Sequence, residues 1–333
     1  MTRKIRAADV GFVGPGPERA LHREKASHEL AIRWLSASLI LSVVYATAAK
    51  LGLMLAIEHP SATAVWPPTG ISLAGLLIFG YRVWPGIFAG AFVANLTTPG
   101  SVATSLGIAT GNTLESVVGC YLVMRFANGR AAFSRPQDVF KFTGLAGLLA
   151  TMVSASCGVT SLALGGYAKW ADFGSIWLTW WLGDASGALI VAPPLLLWST
   201  QPGLRVSGRR AVETLVAFAT VAISTGAVFG NWFPVPVQRL QSLTLPALIW
   251  VAFRLGPREA ATAVLMMSGI ALADTVRGLG PFSGISPSEG LRSLQVYMSM
   301  RAVTALVLAT AVQERQRLEE ERRHLTAETE RAA

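Results

Sequence analysis

The stretch Ala64–Gly86, AVWPPTGISLAGLLIFGYRVWPG, decides the fold. An apolar run is entered through Trp66-Pro67-Pro68 and left through Tyr81-Arg82-Val83-Trp84-Pro85-Gly86. Proline suits the first turn of a helix, where its missing N–H would be unpaired anyway, and tryptophan concentrates at the lipid–water boundary. Trp66-Pro67-Pro68 therefore reads as the start of one membrane helix at the outer face, and Trp84-Pro85 as the start of the next at the inner face. A related fence recurs downstream: AFRLGPREA at 252–260 aligns with GYRVWPGIF at 80–88, sharing aromatic, Arg, aliphatic and Pro at the same offsets. The match hints at an internal parallel repeat, with the second and third spans corresponding to the eighth and ninth.

The rest of the chain extends this reading. Of 333 residues, 52% are apolar and only 14% charged, against roughly 25% charged in an ordinary soluble domain. Apolar segments at about 30–55, 67–80, 84–97, 101–124, 138–163, 174–198, 211–231, 242–253, 258–276 and 291–313 predict an all-α, polytopic transmembrane bundle of about ten spans. The second, third and eighth are short, which leaves open eight spans plus re-entrant pieces. With the N-terminus in the cytoplasm, 22 of the 28 Lys and Arg lie inside, five outside and Arg301 in a span. The positive-inside bias thus puts both termini in the cytoplasm.

Residues 1–28 carry basic residues around GFVGPGPE rather than the short apolar core of a secretory leader, and read as a disordered cytoplasmic tail. Residues 29–313 form the membrane domain, and 314–333 begin a cytoplasmic helix. Cys120 and Cys157 sit among small apolar residues and suggest neither disulfide nor metal framework. The net charge of +9 is spread over short loops, without the pattern of a nucleic-acid reader.

Five blocks carry a family resemblance: WPPTGISLAGLLIFGYRVWPGIFAGAFVAN (66–95), GNTLESVVGCYL (111–122), WWLGDASGALIVAPPLLLW (180–198), ALIWVAFRLGPREAA (247–261) and LQVYMSMRAVTALVLATAVQERQ (294–316). In order and spacing they resemble the MASE1 integral membrane sensor domain of bacterial signalling proteins. The resemblance implies an inner-membrane input module, usually followed by a histidine kinase of a two-component system or by a diguanylate cyclase of cyclic di-GMP signalling. Here the last span runs through QERQRLEEERRHLTAETERAA and the sequence stops; His324 lacks the flanking pattern of a phosphoacceptor. The expectation is a chain that ends ahead of its output domain, with a stand-alone sensor as the alternative. Nucleotide-binding loops, paired metal-ligating histidines and nucleophile elbows are absent, so the chain is not expected to be an enzyme, and no cofactor or metal is expected.

Ionisable residues far from water are the informative ones, because a charge at the bilayer centre costs about 2.5–3.5 kcal/mol on insertion scales. Asp184 and Arg301 each lie about ten residues from the outer ends of their spans, so both reach about 15 Å depth and can meet. Two readings stay open: a structural ion pair, or an anionic or polar ligand sharing Arg301. Glu115 lies deeper, at roughly 21 Å, with Asn112 one turn before it on the same face. It reads either as a buried, hydrogen-bonded acid or as a binding or proton-responsive group. Trp180 precedes Asp184 by one turn, and Gly183 and Gly187 form a small-residue seam. Trp66 and Asn95 lie near the outer ends of their segments, where Trp66 is read mainly as an interfacial anchor.

The last span continues without Pro or Gly, predicting one helix from Leu291 to about Glu328. Ala311, Leu318 and Leu325 repeat every seven residues, which suggests a weak dimeric coiled coil. The function expected is a membrane sensor relaying a signal through this helix. A transport or solute-binding module, or a scaffold for a partner transporter, is the rival. Expected partners are the bilayer, a second copy through the C-terminal helix, a small polar or anionic ligand and a membrane partner protein, but not nucleic acid.

Overall fold

The computed structural model describes residues 17–332 apart from 55, 60, 61, 64, 201, 202, 204–207, 234–236 and 284. Among these the chain forms ten helical rods. They are α1 (Pro17–Leu53), α2 (Pro67–Phe79), α3 (Trp84–Leu96), α4 (Val102–Phe126), α5 (Pro136–Phe142) continued through π-helical turns at 143–150 into α6 (Thr151–Leu164), α7 (Phe173–Thr200), α8 (Gly208–Phe229), α9 (Thr244–Arg254), α10 (Pro257–Val276) and α11 (Pro287–Ala332). The rods follow the ten expected segments, but six helices are long and apolar enough to cross a membrane unaided. α2 and α3, with 13 residues each, and α9, with 11, reach about 20 Å or less of the ~30 Å hydrocarbon layer. α4 has the length, 25 residues, but Asn112, Glu115 and several hydroxyls make it too polar to count among the six.

Prolines act as expected at the helix starts, with Pro67, Pro85 and Pro257 in first turns, and Pro136 does the same for α5. Three details differ from the sequence expectation. Residues 17–28, expected in the tail, are helical and continue α1, because nothing after Pro17 interrupts the helix; residues 1–16 lie outside the described residues. Ala56–His59 and Ala62–Thr63, expected as a loop, pair as a short antiparallel ribbon, β1 and β2. The repeat is not matched in packing. α9 and α10 lie against each other, whereas α2 and α3 scarcely touch and pack mainly on other helices. The positive-φ turns also fall at different offsets, since Gly80 aligns with Ala252 and Gly256 with Trp84.

α7 is the hub, packing on α2, α6, α10 and α11, while α4 packs on α3 and α6. The tightest crossing is between α7 and the entry to α2. The Trp66 N–H donates to the Gly183 carbonyl at 3.0 Å, the Trp66 carbonyl lies where a Gly187 side chain would be, and Gly70 in turn faces the Gly187 carbonyl. The small-residue seam of α7 is therefore a bed for the backbone that leads into α2.

α11 runs for 46 residues, about 69 Å. Its first part packs on α7, α9 and α10. Beyond Gln313 it becomes an exposed rod with i,i+4 ion pairs Arg315–Glu319 and Arg317–Glu321. Leu318 and Leu325 are 59% and 64% exposed.

Candidate functional site

A buried polar cluster lies where α2, α4, α6 and α7 meet. Glu115 is 2% exposed and Asp184 0%. The Thr69 hydroxyl of α2 donates to Asp184 Oδ1 of α7 at 3.1 Å. The Trp180 indole N–H donates to Ser154 Oγ at 3.1 Å, and the Ser154 hydroxyl donates to Asn112 Oδ1 at 2.7 Å, so one chain of bonds links α7, α6 and α4. Ser72 and Ser116 bond each other at 2.7 Å, tying α2 to α4. Tyr45 of α1, also fully buried, sits beside Trp66 and Asn112 and within electrostatic range of both acids.

These bonds leave much of the cluster unsatisfied. Both Glu115 carboxyl oxygens, Asp184 Oδ2, Asn112 Nδ2 and Trp66 Nε1 are buried without a hydrogen-bond partner. Neither acid is in an ion pair among the described residues. Natively buried polar groups are nearly always paired, so five orphans in one place need a physical explanation. Each buried charge left without a counter-ion would cost several kcal/mol.

The cluster is coupled to α11 through Gln295. Its amide donates to the Thr179 carbonyl of α7 and the Thr63 carbonyl of β2, both at 3.1 Å. One turn on, Ser299 meets Ser186 of α7 at 3.1 Å. Thr179 directly precedes Trp180, and Thr63 lies three residues before Trp66.

Of the residues singled out from sequence, Asn112, Glu115, Trp180, Asp184 and Trp66 come together. Trp66 is 7% exposed and packed over Gly52, so it is a core residue rather than an interfacial anchor. Asn95 is buried, but its amide caps back onto the Ala91 carbonyl within α3, and no described contact joins it to the cluster. The expected Asp184–Arg301 contact does not form. Equal depth did not guarantee equal direction: Gln295 and Ser299 face α7, and Arg301, two residues past Ser299, is turned about 200° away. Its guanidinium instead lies 3.8 Å over the Tyr297 ring and donates to the Gln241 carbonyl at 3.1 Å.

A comparison with protein-family models matches residues 37–316 to MASE1. The chain belongs to the MASE1 family. MASE1 is a membrane-associated sensory input domain rather than a catalytic one, and its apolar helices make this chain a multi-pass membrane protein. No curated protein and no solved structure matches the chain. Four of the five blocks that carry the MASE1 resemblance converge on the cluster and its link: Trp66, Thr69 and Ser72; Asn112, Glu115 and Ser116; Trp180 and Asp184; and Gln295. Sequence reasoning missed Tyr45, Thr69, Ser72, Ser116, Ser154 and Gln295, because uncharged polar side chains in apolar spans carry no insertion penalty large enough to notice. Ser116 did carry a positional signal, one turn after Asn112, whereas Ser72 lies one turn after Thr69, which was itself missed.

Proposed function

We propose that this MASE1 domain is the input module of an inner-membrane signalling protein, with both ends cytoplasmic, and that the buried cluster takes its signal as a small positive guest between Glu115 and Asp184. The guest is a proton or a monovalent cation. The observation that carries this reading is the pair of fully buried carboxyls with three orphan oxygens and, among the described residues, no ion pair to either acid. A positive guest would satisfy those oxygens and offset the burial cost. A divalent ion fits less well, since the described residues hold no group of three potential His, Cys, Asp or Glu ligands. Tyr45 from α1, Glu115 from α4 and Asp184 from α7 are the titratable groups facing the cluster; α2, α6 and α11 contribute Thr69, Ser72, Ser154 and Gln295.

The output is a cytoplasmic kinase or cyclase reached through α11, with Gln295 as the link and exposed Leu318 and Leu325 as the dimer stripe. A guest that binds only the folded state stabilises it in proportion to the logarithm of its concentration. Thermal unfolding of the purified chain therefore tests the reading, first with sodium or potassium replacing choline at fixed pH, then across pH in choline. The wild type is expected to shift by on the order of 5 °C in one series, with the melting temperature falling as pH rises if the guest is a proton. The near-isosteric double variant Glu115→Gln/Asp184→Asn is expected to give a flat curve. Identical curves for the two proteins would refute the reading.

A further inference from the structure

Arg301 is left unused by the buried cluster, yet it lines a groove of its own. The cavity, about 620 Å³, lies along one stripe of α11, between α7 on one side and Gln241 and Phe282 on the other. Its walls include Leu178, Val296 and Met300, which are 36%, 44% and 60% exposed, so in a bilayer the groove opens sideways to lipid. Arg292 and Arg301 flank the apolar stripe at its two ends, nine residues or about 13.5 Å apart along the helix.

Both cations lack an anion. Neither is in an ion pair among the described residues. Arg292 reaches only Ser175 Oγ, at 3.4 Å, and Arg301 Nε is buried with no partner. The platform beneath Arg301 is rigid. Tyr297 stacks edge-on against Phe229 and Phe282 at 5.5 and 5.7 Å, and its hydroxyl bonds Thr244 at 2.6 Å. A cation at the outer end, apolar walls below it and a fixed second guanidinium at the inner end give a positive groove that matches an anionic head carrying a hydrocarbon chain.

We propose that this groove binds one acidic phospholipid of the bilayer, its phosphate held by Arg292 at the outer end of the stripe and an acyl chain lying along Leu178, Val296 and Met300 towards Arg301. Charge complementarity selects the occupant: two unpaired cations at an apolar, lipid-facing groove favour an acidic lipid over a zwitterionic one. The site lies on α11 itself, so an acidic lipid there wedges the relay helix directly.

The test uses the whole chain in nanodiscs of phosphatidylcholine with or without phosphatidylglycerol, extracted for native mass spectrometry. Wild type is expected to retain one phosphatidylglycerol, and Arg292→Gln/Arg301→Gln at least tenfold less of it. Lys169→Gln/Arg277→Gln, which removes the same charge elsewhere, is expected to behave as wild type. Matching melting temperatures in pure phosphatidylcholine establish that the variants are folded. Equal retention by both double variants would overturn the site. Displacement of the lipid by millimolar glycerol phosphate would overturn the lipid source in favour of a free anion. A dimer in phosphatidylcholine that becomes monomeric in the Arg292→Gln/Arg301→Gln variant would assign the groove to a second copy and overturn the proposal.

Discussion

Gly187→Val is expected to leave almost no folded protein. A valine Cβ there would occupy the position of the Trp66 carbonyl, and the Gly187 backbone already sits against Gly70. The atoms that Cβ would meet are the Trp66 and Pro67 backbone, so no flexible side chain can give way. Moving Trp66 and Pro67 would break the Trp66 N–H bond to the Gly183 carbonyl and lift Thr69 from Asp184. Overpacking together with a lost buried bond costs upwards of about 4 kcal/mol, a large part of the 5–15 kcal/mol that holds a typical domain. Gly269→Val is the matched control, because a Cβ at Gly269 meets nothing within 4 Å. Fluorescence-detected gel filtration should show a monodisperse peak for Gly269→Val and loss of most of it for Gly187→Val. Comparable peaks for both would mean that the α2–α7 crossing is looser than described.

The second large effect concerns transmission. α11 is continuous from the bundle through residue 332, so each residue inserted after Val312 rotates everything downstream by about 100° and advances it by about 1.5 Å. Seven inserted residues complete almost two turns and leave a drift of about 20°. With a kinase or cyclase fused after α11, insertions of one or two residues are expected to abolish regulation, locking output on or off by at least tenfold. Insertion of seven is expected to recover it. Output indifferent to every length from one to seven would point to a flexible tether, and would favour transport or scaffolding over sensing.

Most of the helical framework was legible because its signals are local. Apolar length, Pro at first turns and the uninterrupted C-terminal run each act within one segment, and the rods follow them from α2 to α11. Ionisable and polar groups inside apolar spans were legible as well: Asn112, Glu115, Trp180 and Asp184 were singled out, and all four are buried. Direction around the helix axis was not. It depends on which neighbour each face meets, and so Arg301 could be placed at Asp184's depth while pointing at Gln241. The same limit applied to Trp66, whose place beside two prolines suggested an interface while the glycine seam of α7 drew its backbone inward. Gln295 was hidden for a third reason: an uncharged amide among Leu, Val and Met reads as part of an apolar span until its two carbonyl partners are seen.

In the proposed mechanism, occupancy of the Glu115–Asp184 site reaches the output through Gln295. The most direct measurement is the output of a fused cyclase or kinase in membrane vesicles, titrated with the cation or proton that shifts the melting curve. It would be run for wild type, Glu115→Gln/Asp184→Asn and Gln295→Leu, alongside the melting curves. Wild type is expected to change output across the titration and the double amide to stay at one level in both readouts. Gln295→Leu is expected to keep the melting shift but lose the change in output, because the guest still binds while α11 has lost its bonds to Thr63 and Thr179. A Gln295→Leu output curve matching the wild type, or a double-amide variant that still responds, would contradict the account.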